Sequence, residues 1–147
     1  MIRTLELVQS DIEGLTRLMN QWDDLPNEIT YEEIFGKVNT IKNSGSKSEI
    51  IVAEEDAIII AYAYLTEVTF LGLDSFIEIQ SILVDESVRG NGIGKQLMKQ
   101  AEEWAKQNGY NKVMLSSRIQ LENAHKFYKS IGYKIAKQSY FFSKELK

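Results

Sequence analysis

Apolar positions along the chain switch between two spacings, and each switch marks an element. Residues 2–8 alternate loosely between apolar and polar, as a strand with one buried face does. Ile12, Leu15, Met19 and Trp22 then fall at helical intervals, behind a Ser10-Asp11-Ile12-Glu13 segment of capping-box form. Asp23-Asp24-Leu25-Pro26 breaks that helix. A second box, Thr30 to Glu33, opens a helix whose apolar stripe is Ile34, Val38 and Ile41, and Asn43-Ser44-Gly45-Ser46 ends it. A β-rich region follows, in which residues 50–53, 57–68 and 75–85 predict three strands with turns near Glu55-Asp56 and at Gly72-Leu73-Asp74. Connections this short predict antiparallel pairing.

Helical spacing returns at Ile93, Leu97, Ala101, Trp104 and Ala105, and Gly109 stands where a left-handed C-terminal cap belongs. Residues 113–116 predict a strand parallel to the 76–85 strand, because a helix crosses over between them. A helix over 122–130 closed by Gly132, then a hairpin of residues 133–136 and 139–143, complete the order βααβββαβαββ. The expectation is an α/β (α+β) fold in one domain over residues 1–147, with a mixed, mostly antiparallel sheet flanked by helices.

Composition narrows the function classes. With 147 residues and 44% hydrophobic content the chain can bury a real core. It has no Cys and one His, so a disulfide framework, a thiol nucleophile, Cys-ligated zinc and a His cluster are excluded, and no metal is expected. Absence of Cys suits a reducing, cytoplasmic setting. The first residues carry no apolar signal core, and the run Ala57 to Leu65 is too short to span a bilayer, so no membrane partner is expected. A net charge of −4 and a pI near 5.1 argue against nucleic acid and suit a cationic acceptor such as an amine.

The chemistry concentrates where the 76–85 strand feeds the 93–108 helix through Arg89-Gly90-Asn91-Gly92-Ile93-Gly94. Glycines let a backbone approach a ligand closely, and the first N–H groups of a helix are unpaired and sit at the positive end of its dipole. Such a turn suits a phosphate or diphosphate, and Arg89 and Lys95 flank it. A Walker loop needs four residues between its glycines and Ser or Thr after Lys; here Gly90 to Gly94 leaves three, and Gln96 follows Lys95. The dinucleotide fingerprint fails as well, because Gly90-x-Gly92-x-Gly94 has the wrong spacing and lies mid-chain. An ordinary βα turn using Gly for close packing is the plainer alternative.

Arg89-x-x-Gly92-x-Gly94 behind Ile82-Leu83-Val84-Asp85 resembles the acyl-CoA diphosphate loop of the GNAT-type N-acetyltransferase superfamily. Asn123-Ala124-His125-Lys126-Phe127-Tyr128 followed by Gly132-Tyr133 is similar to the superfamily's later motif, and the two lie in the expected order. The resemblance implies acetyl-CoA (coenzyme A) as cofactor, a single GNAT-like domain and transfer to an amine. It implies that pantetheine pairs with backbone groups around Ile82, Leu83 and Val84, and that residues 90–95 (Gly90, Asn91, Gly92, Ile93, Gly94 and Lys95) hold the diphosphate with Arg89 beside them. An N–H near Val84 would also face the thioester oxygen.

By the same resemblance Tyr128 is the general acid, since a phenol of pKa about 10 stays protonated at neutral pH. Its spacing with Ala124 and Ile131 taken alone favours a core aromatic, a reading that the resemblance reverses. Asn123 either caps its helix or hydrogen-bonds the cofactor. Glu78 is the candidate base: strand alternation puts it on one face with Gln80, Ile82 and Val84, a face running from polar to apolar. A solvated strand-end charge is the competing reading, and a water chain or His125 the competing base. Trp22, Asp23, Asp24 and Tyr31 fall in the region that lines acceptor pockets in similar proteins.

The stretch from Ser116 to Leu146 resembles the branch that includes aminoalkylphosphonate and aminoglycoside-type acetyltransferases, which implies Arg118 as an acceptor-anion contact. The expected acceptor is therefore a small-molecule amine. A protein or peptide N-acetyltransferase and a non-catalytic acyl-CoA sensor are the alternatives. Tyr140, Phe141 and Phe142 in the last strand suggest a homodimer.

Overall fold

The computed structural model describes residues 1–147 and divides them into two compact units, Met1–Ser116 and Ser117–Lys147. The first unit holds β1 (Ile2–Thr4), α1 (Gln9–Met19), α2 (Tyr31–Asn43), β2 (Ser48–Glu55), β3 (Ile58–Phe70), β4 (Leu73–Val84), α3 (Ile93–Gln107) and β5 (Val113–Leu115). The five strands form one sheet in the order β1-β2-β3-β4-β5. Every pairing is antiparallel except β4 with β5, which is parallel because α3 crosses over between them. The mixed, mostly antiparallel sheet flanked by helices is the expected fold class.

Each face of the sheet buries its own apolar layer. On one side Ile12, Leu15 and Leu18 of α1 and Ile34 and Val38 of α2 pack with Leu5, Ile50, Val52, Ile59 and Tyr62; Tyr64 and Leu83 lie against that cluster. On the other side α3 contributes Leu97, Met98, Ala101 and Ala105 over β2, β3 and β4. Ile51, Ala53, Ala61, Ala63, Leu65, Ile77 and Ile79 are the buried strand residues of that layer by register.

The β3–β4 ladder breaks register once in its middle: Tyr64 pairs with Ser81 but Leu65 pairs with Ile79, leaving Gln80 as the extra residue of a β-bulge. This corrects the strand-face reading of Glu78. Glu78 pairs with Thr66, whereas Ile82 pairs with Ala63 and Val84 with Ala61. Opposed residues share a face, so Glu78 lies on the Tyr62–Tyr64 side with Ser81 and Leu83, and Ile82 and Val84 lie on the α3 side. Tyr62 confirms the assignment by donating its hydroxyl to Ser81 Oγ at 3.0 Å.

Local signals succeed and fail for identifiable reasons. Thr30 caps α2 as expected: its hydroxyl accepts from Glu33 N–H, and the Glu33 carboxylate accepts from Thr30 N–H. The Ser10 box does not form. Helix α1 begins earlier, with Val8 as its N-cap residue, and Asp11 turns back to take the Arg3 guanidinium at 2.8 Å on both oxygens and the Glu6 N–H at 2.8 Å.

In the second unit α4 spans Glu122–Ser130. Gly132, at φ 100°, closes it: Tyr133 N–H donates to Tyr128 O at 3.0 Å and Gly132 N–H to Lys129 O at 3.2 Å. The predicted hairpin of residues 133–136 and 139–143 is absent; residues 133–147 carry neither helix nor strand. Lys137-Gln138 occupies its turn, and neither residue favours the positive φ that a two-residue hairpin loop needs.

Candidate active site

The site begins at the edge of β4. Its register with β5 runs Ile77↔Val113, Glu78↔Met114, Ile79↔Leu115 and stops there. The pairing with β3 continues to Ala61↔Val84. Within the first unit, residues 80–84 therefore have a strand on one side only, and the bulge at Gln80 sits where the second side is given up. Ile82, Leu83 and Val84 are all half-buried along this stretch. An open strand edge presents backbone donors and acceptors to an extended ligand.

Beyond Val84 the chain makes a tight turn before α3. Asp85 is buried, and its Oδ1 accepts from Ser87 N–H at 3.0 Å and from the Ser87 hydroxyl at 2.9 Å, capping a single 3-10 turn over Glu86–Val88. Asp85 Oδ2 accepts from Arg17 Nη1 at 2.6 Å. That guanidinium, with help from Ser87, holds the Asp85 carboxyl well below the usual carboxylate range.

Gly90 and Gly92 then adopt φ 88° and 80°, in the left-handed region that side chains with a Cβ rarely enter. Gly92 is the N-cap residue of α3, and the first intrahelical bond runs from Gln96 N–H to Gly92 O at 3.1 Å. The amides of Ile93, Gly94 and Lys95 precede that bond and form the donor end of the helix. Gly90, Asn91, Gly92 and Lys95 are exposed. Asn91 is folded inward, donating from Nδ2 to Val88 O at 3.0 Å, and Arg89 donates from Nε to Val84 O at 2.9 Å. Arg89 thus fastens the end of β4 while carrying positive charge at the turn.

Glu78 is half-buried on the α1–α2 side of the sheet. Trp22, at the start of the α1–α2 connector, has a buried indole N–H with no partner. Asn20 closes the connector at its base, donating from Nδ2 to Ile29 O at 2.9 Å and accepting from Ile29 N–H at 2.8 Å.

The remaining named residues belong to the second unit. Tyr128 is half-buried in α4, with Phe127 and Tyr133 edge-on at 5.3 and 6.2 Å between ring centroids. Burial pushes its hydroxyl pKa up, further from neutrality than an ordinary phenol's. Asn123 is exposed and does not cap α4, whose N-cap residue is Leu121 without a side-chain bond. His125 Nε2 lies 2.8 Å from Arg118 O, which ties the imidazole to backbone on its own unit.

Two residues that hold the turn escape a linear reading. Arg17 lies 68 positions before Asp85, and Gln21 lies 65 before Glu86, whose N–H it accepts at 3.2 Å. No local spacing links them.

The family model described as "Acetyltransferase (GNAT) family" matches residues 12–133, a span that contains the turn, Glu78, Asn123 and Tyr128. Aminoalkylphosphonate N-acetyltransferase of Salmonella typhimurium is 46% identical over 70 residues, covering 47% of this chain and 44% of that protein. The match thus spans less than half the length of that relative. An aminoglycoside 6'-N-acetyltransferase from Acinetobacter haemolyticus has a TM-score of 0.79 at 18% identity, covering 100% of this chain and 99% of the other. Aminoglycoside N-acetyltransferase AAC(6')-Iy, solved in complex with CoA, has a TM-score of 0.82 at 18% identity, covering 99% and 95%. These two likenesses speak for the fold.

Proposed function

Because the chain belongs to the GNAT acetyltransferase family, we propose that it moves the acetyl group of acetyl-CoA directly to the primary amine of a small molecule. The observation that carries this reading is the open edge of β4 leading into a turn with two left-handed glycines at the N-terminus of α3. An extended pantetheine arm and a diphosphate are joined in coenzyme A in that same order, so the residues present fit it. The coenzyme supplies an acetyl group activated as a thioester.

Backbone groups of Ile82, Leu83 and Val84 receive the arm as an added strand, and an N–H near Val84 polarises the carbonyl. The amides of residues 90–95 take the diphosphate, with Lys95 and Arg89 supplying positive charge. Asn123 hydrogen-bonds the coenzyme. An alkylammonium of pKa about 10.4 is almost wholly protonated at pH 7, a handicap of about 4–5 kcal/mol, and Glu78 accepts its proton. Tyr128 donates a proton to the departing thiolate. The aminoalkylphosphonate relative supports a small amine as acceptor. Tyr140, Phe141 and Phe142, at 91%, 87% and 94% exposure, are the surface that favours a homodimer, which sedimentation equilibrium tests.

The deciding experiment measures free thiol released from acetyl-CoA in the presence of simple amines, aminoalkylphosphonates or peptides. Release with small amines is the expected result. Release with peptides alone shifts the acceptor class to proteins. Tight binding of CoA with no release from any amine leaves a sensor and overturns catalysis.

A further inference from the structure

Arg17 of α1 and Gln21, just past the end of that helix, both reach the segment that converts β4 into α3. Arg17 donates from Nη1 to Asp85 Oδ2 and from Nη2 to Ile59 O, both at 2.6 Å. Asp85 is itself held by its N–H to Ile60 O at 2.8 Å, and its other carboxylate oxygen caps the turn through Ser87. Gln21 takes the next amide, Glu86 N–H, at 3.2 Å. One guanidinium therefore spans the start of β3 and the residue from which the glycine turn departs.

The Arg17 side chain is 44% exposed against 9% for Asp85, so the pair is open to water on one side only, and losing Arg17 costs stability through the carboxylate left buried and unpaired. Its two bonds also fix where the turn begins, a separate effect that stability alone does not report.

We propose that Arg17, assisted by Gln21, is a positioning residue that sets the path of residues 85–92 so that the glycine turn and the first amides of α3 meet a diphosphate. The inference rests on the coenzyme reading of that turn. It also joins the α1–α2 connector to the turn, since Gln21 is the residue after Asn20, which closes the connector's base.

Arg17→Met, Arg17→Lys and Gln21→Ala in the full chain test it. Binding of CoA is followed by calorimetry, and binding of pantetheine, which lacks the diphosphate, by NMR titration. Thermal melts establish that each variant is folded. Arg17→Met should weaken CoA binding about tenfold, with Arg17→Lys intermediate, and pantetheine affinity should not move. A merely structural role would weaken both ligands together, and that result overturns the proposal, as does unchanged CoA affinity in folded Arg17→Met. If Arg17→Met does not fold, the same two-ligand comparison is decided by Arg17→Lys and Gln21→Ala, where a CoA-only loss supports and any other pattern overturns. Failure of the wild-type chain to bind CoA removes the coenzyme reading itself, an outcome distinct from wild-type binding that is indifferent to Arg17.

Discussion

Glu78 and Ile82, both on β4, face opposite sides of the sheet, because Gln80 bulges out of the ladder between them. The carboxylate therefore projects to the side where α1 and α2 pack, and the Ile82 side chain to the side of α3. In the proposed reaction this places the base on the α1–α2 side, where it would meet the acceptor, and leaves the backbone of residues 82–84 for the thioester arm. Glu78→Gln should lower kcat/KM for the amine about 100-fold near neutral pH and leave CoA affinity unchanged. The deficit should shrink as pH approaches about 10, where the free amine no longer needs a base. A deficit that stays constant across pH would mean that Glu78 takes no proton.

Gly92 caps α3 at φ 80°, so a side chain there meets backbone strain before it meets any neighbour. Asp tolerates the left-handed region better than most residues but adds a negative charge at the donor end of the helix. Gly92→Asp should weaken CoA binding at least tenfold in calorimetry, and the neutral Gly92→Asn should retain most of the affinity. Equal binding by the Asp variant would leave an ordinary packing turn.

The Tyr128 phenol is protonated at neutral pH at its ordinary pKa of about 10, and burial pushes it further up, so it has a proton to give and cannot serve as a base. Tyr128→Phe preserves the ring contacts with Phe127 and Tyr133. It should cut kcat about 100-fold with little change in KM for acetyl-CoA. An unchanged kcat would make Tyr128 a packing residue of α4.

How legible the chain was depends on the range of each interaction. Thr30 and Glu33 are three positions apart, and their capping box formed because both partners are local. Ser10 and Glu13 carried the same signal, but Asp11 was drawn to Arg3, and α1 started before the box. Two-residue alternation placed Glu78 with Ile82 because alternation assumes an unbroken ladder, and nothing in Ile79-Gln80-Ser81 announces the bulge. The glycine turn was readable since its backbone conformation requires the residue type. Arg17 was not, since its partner is distant in sequence and Arg on a helix ordinarily reads as a solvated side chain. The absent hairpin at 133–143 shows the same limit: aromatic content favours a strand, but a strand also needs a turn and a neighbour.

Arg3 joins three elements and gives the first unit a definite acid sensitivity. It donates to both oxygens of Asp11 at 2.8 Å, from Nε to Glu54 Oε1 at 3.2 Å and from Nη2 to Glu54 Oε2 at 3.1 Å. Asp11 is 3% exposed, and Arg3, followed by the Glu6 N–H, holds its carboxyl below the usual range against the opposing pull of burial. Arg3 lowers Glu54 as well. A carboxylate whose folded pKa is depressed contributes stability that is complete above its unfolded value, about 4, and is lost as pH falls through the folded value. Arg3→Met leaves Asp11 buried without its counter-charge and should cost about 3 kcal/mol at pH 7, a fall in Tm of about 6–12 °C. Because protonated Asp11 has no charge to compensate, wild type and variant should converge as pH drops from 5 toward 2. Urea melts at pH 7, 5 and 3 measure the gap, and a gap that does not close with acid would show that Arg3 contributes by packing alone.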